Sequence, residues 1–282
     1  MDLSDIHAPK QLARSVHGQL GQISSPVPVE DIARALDVSD VKAQQFDGFE
    51  GMLLTDKARS QGVILANTSK GKRRARFTIA HELGHFLMEK HQLSETSGFR
   101  CMTGDLRESR EGRQHLSQET QANQFAIALL APTYRVVPLL KKDPDLRDAQ
   151  RMRDDLDISL EACIRLMINS RDEPLAAVWS HNGRVRYVVR SKEFPFISLT
   201  GGSALPRSSA AVRAISSGTL GFTELCETHS LSWISKADLE LYEQTRSGNN
   251  GYAVTMLWAD LPENGEDEGD GSPSELGMPG FR

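Results

Sequence analysis

The stretch from Arg76 to His91, RFTIAHELGHFLMEKH, carries His81, Glu82 and His85 in the spacing H-E-x-x-H. Residues four apart share one face of a helix, so His81 and His85 can aim two imidazole nitrogens at one metal ion. Glu82 stands beside that face, where its carboxylate can reach a water on the metal. Two imidazoles and an adjacent carboxylate are the ligands and general base of zinc-dependent hydrolysis. The same five-residue pattern also arises by chance on charged surface helices, so the reading requires a third ligand.

The element that must position these groups is a helix. Ile79, Leu83, Phe86 and Leu87 recur at spacings of three and four, as an amphipathic helix requires. Gly84 costs it about 1 kcal/mol relative to Ala and leaves room for another backbone. The next amphipathic segment, Ser117 to Leu130, places Glu119 and Asn123 four apart. Glu119 can supply a carboxylate ligand, and Asn123 can accept a hydrogen bond from a ligand histidine and fix its tautomer. The plainer alternative for Glu119 is a first-turn acid that complements the helix dipole.

RFTIAHELGH followed by ETQANQFAIALLAP resembles the ImmA/IrrE family of bacterial metallopeptidases. That family joins an RFT-x-AHELGH helix to an E-x-x-A-[ND]-x-FA-x-x-LL-x-P helix, and both halves occur here in order. The resemblance covers roughly residues 1–135. It implies that His81, His85 and Glu119 bind Zn²⁺ and that Glu82 is the catalytic base. Members often carry His four residues after the second ligand, where this chain has Glu89. The resemblance further implies a substrate: a phage-repressor-type helix-turn-helix regulator, cleaved to induce stress-response or mobile-element genes. A second oxyanion donor is expected, with Tyr134 and His115 as candidates.

Length and composition set the frame. A chain of 282 residues is long enough for two or three domains. A formal net charge of −5 argues against a general nucleic-acid or membrane-surface binder. No apolar run is long enough to span a bilayer, and the polar start MDLSDIHAPK lacks a signal-peptide core. Cys101, Cys163 and Cys226 are far apart and form no disulfide framework. The expected compartment is a reducing cytoplasm.

Taken in order, Pro9 to Leu20 and Val27 to Leu36 read as helices, and short strands follow at 41–46, 51–55 and 62–66. In such a layout an edge strand can pair with extended substrate. Gly48 and Gly51 can admit a substrate backbone or simply make the turn between strands. The basic run Lys70 to Arg76 lacks aromatic residues, so it reads as a solvated loop with acidic partners rather than a nucleic-acid patch. Residues 93–115 read as a loop, in which Cys101 and His115 can mask the metal or be ordinary loop residues.

Beyond Pro132, Leu146 to Leu156 and Leu160 to Asn169 flank a turn at Asp157-Ile158-Ser159, a helix-turn-helix-like spacing. Residues 141–165 hold six basic residues against seven acidic ones. That balance favours packing or protein contact over DNA binding. Strands at 175–179 and 184–189 meet at an Asn-Gly turn, helices are expected at 208–215 and 236–243, and a strand closes at 251–258. In the resembling family's IrrE branch this position holds a GAF-like sensor domain. Past Leu261 six acids accompany Gly and Pro, a composition of disorder.

The expected architecture is α+β in three parts. A zincin-like metallopeptidase domain spans 1–136 and a helix-turn-helix-like helical segment 137–172. A small C-terminal α/β (GAF-like) sensor or interaction domain spans 173–262, followed by an acidic tail at 263–282. The expected activity is zinc endoproteolysis of a repressor. Two other readings stand beside it: a regulator that binds its repressor partner without cutting it, and a DNA-binding regulator.

Overall fold

The computed structural model describes residues 3, 6–21, 23, 26–92, 98–101, 113–237 and 239–261, with the side chains of 98–101 and 113–115 outside the description. Helices α1 (Pro9–Leu20) and α2 (Val29–Arg34) precede strands β1 (Val38–Gln44), β2 (Gly51–Thr55) and β3 (Gly62–Asn67). Helix α3 (Lys72–Leu87) carries the H-E-x-x-H residues, and α4 (Arg113–Leu130) carries Glu119. Between them lies β4 (Gly98–Cys101), within the stretch expected to be loop. Four residues set in a polar stretch give little strand signal by themselves, and their pairing with β2 makes the strand.

The sheet order is β1-β3-β2-β4. β1 runs parallel to β3, while β2 is antiparallel to both β3 and β4. Leu53, Ile64 and Ala66 turn inward and meet Ile79 and Leu83 of α3 in one apolar core. Opposite, α3 packs on α4. Gly84 makes that crossing close: a Cβ there would stand 3.0 Å from Phe125 and 3.4 Å from the Ala122 α-carbon. α1 covers the other side of α4.

After the short helix α5 (Thr133–Val136) comes the pair α6 (Leu146–Leu156) and α7 (Leu160–Asn169). Asp145 caps α6 by accepting from the Arg147 amide, and Ser159 caps α7 by accepting from the Ala162 amide. The left-handed residue Asp157 turns the chain between them. The apolar core of the first sheet continues through Met152, Ile164 and Met167 into Leu175, Ala177, Val254 and Met256. The cluster thus crosses residues 136 and 172.

The C-terminal part comprises β5 (Leu175–His181), β6 (Arg184–Arg190), α8 (Ala210–Ser217), β7 (Gly221–Phe222), β8 (Cys226–Thr228), β9 (Glu240–Ser247) and β10 (Tyr252–Asp260). The order is β6-β5-β10-β9-β7, with β8 also on β9. The Asn182-Gly183 turn has both residues at positive φ, as a tight hairpin demands. One expectation fails here. Residues 236–243, read as a helix from their Lys, Glu and Leu content, instead lead into β9. There Leu241, Glu243, Thr245 and Ser247 are buried, with β9 paired along β10. Neighbouring strands override local helix propensity.

The basic run at the start of α3 is partly offset within the chain. Lys70 and Arg74 pair with buried Glu50, with Arg74 Nε at 3.5 Å. Arg73 and Arg76 both reach Asp157, at 2.9 and 3.4 Å. Basic charge at a helix N-terminus opposes the dipole; these carboxylates offset it and tie the α6–α7 turn to the helix that carries His81.

Candidate metal centre

α3 and α4 cross where their ligand faces meet. His81, Glu82 and His85 are fully buried, and Glu119 nearly so. The ligand atoms of His81, His85 and Glu119 all lie within 4.8 Å of one another. His81 Nε2 is 3.0 Å from His85 Nε2, and each nitrogen is 3.2 Å from a different Glu119 oxygen. Zinc bonds of about 2.0–2.2 Å in a tetrahedral array place donors roughly 3.3 Å apart, so the spacing fits one ion.

The protonation states agree with that fit. His81 Nδ1 lies 3.0 Å from Asn123 Oδ1. An amide oxygen only accepts, so Nδ1 carries the hydrogen and Nε2 turns its lone pair inward. Burial pushes the His85 pKa down to about 3, which keeps that ring neutral. Burial acts to raise the Glu119 carboxyl, but the two imidazoles beside it outweigh that and hold it well below the carboxylate range. Two imidazoles and a carboxylate converging on one point are a donor set for a divalent cation.

Glu82 directs its carboxylate toward β2. A Cβ built at Gly51 would run into Glu82 Oε1, so residue 51 gives its space to this side chain rather than to a substrate backbone. Gly48, at φ 82°, serves the turn before β2.

The other candidates fall elsewhere. Tyr134 is not at the cluster: its hydroxyl lies 3.4 Å from His17 Nδ1, and His17 Nε2 bonds the Leu129 carbonyl at 2.8 Å. From Glu119 to Leu129 along α4 is about 15 Å. The length of α4 carries Tyr134 away from the metal ligands. The side chains of His115 and Cys101 lie outside the described residues.

The sequence reading missed two contributors. His91 is buried with Nδ1 2.9 Å from His85 Nδ1, and its Nε2 is 3.1 Å from Gln121 Oε1. Arg59 donates through one nitrogen to the carbonyls of His85 and Met88, both at 2.6 Å, and through the other to the His91 carbonyl. Burial lowers the His91 pKa, as it does that of Arg59. The sequence signal for His91 was its place just past the helix end, and for Arg59 there was none.

A helix bearing H-E-x-x-H, crossed by a second helix bearing a carboxylate and backed by a small mixed sheet, defines a zincin-like metallopeptidase domain. Residues 39–165 match the family model described as IrrE N-terminal-like domain, Peptidase_M78. That segment is similar to the metallopeptidase domain of the ImmA/IrrE family. No curated protein matches the chain. Among the described residues no helix is long and apolar enough to cross a membrane.

Proposed function

We propose that this protein is a zinc-dependent endopeptidase that cleaves a helix-turn-helix transcriptional repressor, and so induces stress-response or mobile-element genes. The observation that carries the reading is the convergence of His81, His85 and Glu119 with Glu82 buried beside them. His81, His85 and Glu119 would hold Zn²⁺. When bound, the metal would supply Lewis acidity, polarising the scissile carbonyl and lowering the pKa of the attacking water toward about 7. Glu82 takes the proton from that water as it adds to the carbonyl carbon. When the C–N bond breaks, Glu82 returns the proton to the departing amine. Asn123 holds the His81 ring in the tautomer that presents Nε2 to the cluster.

The α6–α7 pair acts in packing and protein contact rather than on DNA. Supporting this, Asp157 in its turn is occupied by Arg73 and Arg76, and the local charge is balanced. The C-terminal six-stranded sheet serves as a GAF-like sensor or interaction domain, and the protein works in the cytoplasm. The test is co-expression with a helix-turn-helix repressor encoded beside it. Cleavage that needs zinc and Glu82 supports the reading. Relief of repression with the repressor intact favours the binding-only regulator in its place.

A further inference from the structure

We propose that His91 is the positioning residue of the metal ligand His85, set in its tautomer by Gln121 and held in place by Arg59. The proposal rests on the metal-site reading above. It follows from counting hydrogens along a chain of contacts. Gln121 turns Oε1 toward His91 Nε2 at 3.1 Å, while its amide nitrogen donates to Ser117 Oγ at 3.3 Å. An amide oxygen only accepts, so His91 carries its hydrogen on Nε2. A neutral imidazole with that hydrogen has a bare Nδ1. This bare nitrogen faces His85 Nδ1 at 2.9 Å, and the hydrogen between them must belong to His85. His85 Nε2 is then left with its lone pair, directed at His81 Nε2 and Glu119.

The outcome for His85 equals the outcome for His81, reached by a longer route. Asn123 sets His81 directly, whereas Gln121 sets His85 through His91. Both amides lie on α4, the helix that also brings Glu119. One helix therefore supplies a ligand and fixes the lone pairs of the other two.

The backbone explains why His91 can stand there. α3 ends at Leu87, Met88 is extended, and the His91 amide bonds the Met88 carbonyl at 2.9 Å. This turn folds the chain back over the end of the helix. Helix C-termini leave carbonyls without intrahelical donors, and here Arg59 reaches those of His85, Phe86 and Met88 together with that of His91. The guanidinium thus joins the ligand's own carbonyl to the carbonyl of the residue that orients it.

The test uses the full chain and reads zinc affinity by competition with a chromophoric chelator, with the thermal midpoint of the metal-free protein as a fold control. Loss of an orienting partner costs a metal site about 10–100-fold in affinity, and that loss is expected for His91→Ala. Because His91 is buried, a second pair of variants tests the same chain from the half-buried helix face. Gln121→Leu removes the acceptor and weakens zinc by about tenfold, whereas Gln121→Glu keeps an acceptor and holds zinc within about threefold of wild type. Ring ¹⁵N spectra of the metal-free protein are expected to place the His91 hydrogen on Nε2. Wild-type affinity in both His91→Ala and Gln121→Leu overturns the proposal. So does equal loss in Gln121→Leu and Gln121→Glu, or a His91 ring protonated on Nδ1. Failure of the metal-site reading looks different: the wild-type chain then holds no zinc although the His91 hydrogen is on Nε2.

Discussion

Gly51 in β2 lies directly against the carboxylate of Glu82 in α3: a Cβ at residue 51 would collide with Oε1 and stand 3.2 Å from Cδ. It would also meet Thr78 Cγ2 at 2.5 Å. Glu82 is fully buried and cannot swing into solvent, so Gly51→Ala must displace its carboxylate, the proposed general base. A displacement of about 1 Å in a reacting group can cost on the order of 10²-fold in rate. Gly51→Ala is therefore expected to retain zinc, since neither His81 nor His85 is touched, and to cut substrate up to about a hundredfold more slowly. Elemental analysis beside a cleavage assay checks this, and full activity in the variant would contradict it.

Glu82→Gln keeps the shape of the side chain and removes its basicity. Zinc binding and the thermal midpoint should stay close to wild type, because Glu82 is not among the convergent ligand atoms. Cleavage should fall about 10²–10⁴-fold. The variant should hold its repressor without cutting it, measurable as a stable complex on size-exclusion chromatography. A variant that still relieves repression at the wild-type level would remove proteolysis from the mechanism.

How much of this site was legible in the sequence depends on how each residue is placed. His81, His85, Glu119 and Asn123 could be read because each pair lies four apart on one helix face, a relation fixed by helix geometry. The crossing of the two helices was marked by Gly84, whose missing side chain admits Ala122 and Phe125. His91 and Arg59 could not be read, because one lies beyond a helix end and the other in a loop between strands. Their contacts arise from tertiary folding and leave no periodic trace. Tyr134 was drawn to the site by its hydroxyl alone, whereas α4 carries it to His17. β4 and β9 escaped for the opposite reason: their partners, β2 and β10, are the cause of their extended form.

Asp157 joins the α6–α7 turn to Arg73 and Arg76 at the start of α3. Asn tolerates the left-handed backbone of residue 157, so Asp157→Asn isolates the charge. The pairs are partly exposed, and the expected loss is about 1 kcal/mol or less, shrinking as salt rises. Denaturant midpoints at low and high salt measure it; a midpoint unchanged at low salt would show the pairs to be energetically silent. Wild-type protein, with these charges paired, is expected to show no DNA binding tighter than the micromolar range at physiological salt. A sequence-specific gel shift at nanomolar protein would restore the DNA-binding reading.

His17 supplies a pH dependence outside the metal site. Its ring is buried between α1 and α4, with Nε2 on the Leu129 carbonyl and Tyr134 across it. Burial lowers its pKa from the ordinary 6.5, and the backbone hydrogen bond to Leu129 only partly opposes this. Above pH 6.5 the ring is neutral in both folded and unfolded chains and contributes no pH dependence. As pH falls below 6.5 the unfolded chain takes up a proton that the folded chain still refuses, so stability is lost down to the lowered folded value. His17→Gln can still donate to Leu129 but cannot titrate. Its stability should be lower than wild type at pH 7.5, where the packing of the ring is lost, yet fall less between pH 6.5 and 5. Chemical denaturation across that range decides the matter: parallel curves for the two proteins would mean that His17 does not govern the acid sensitivity.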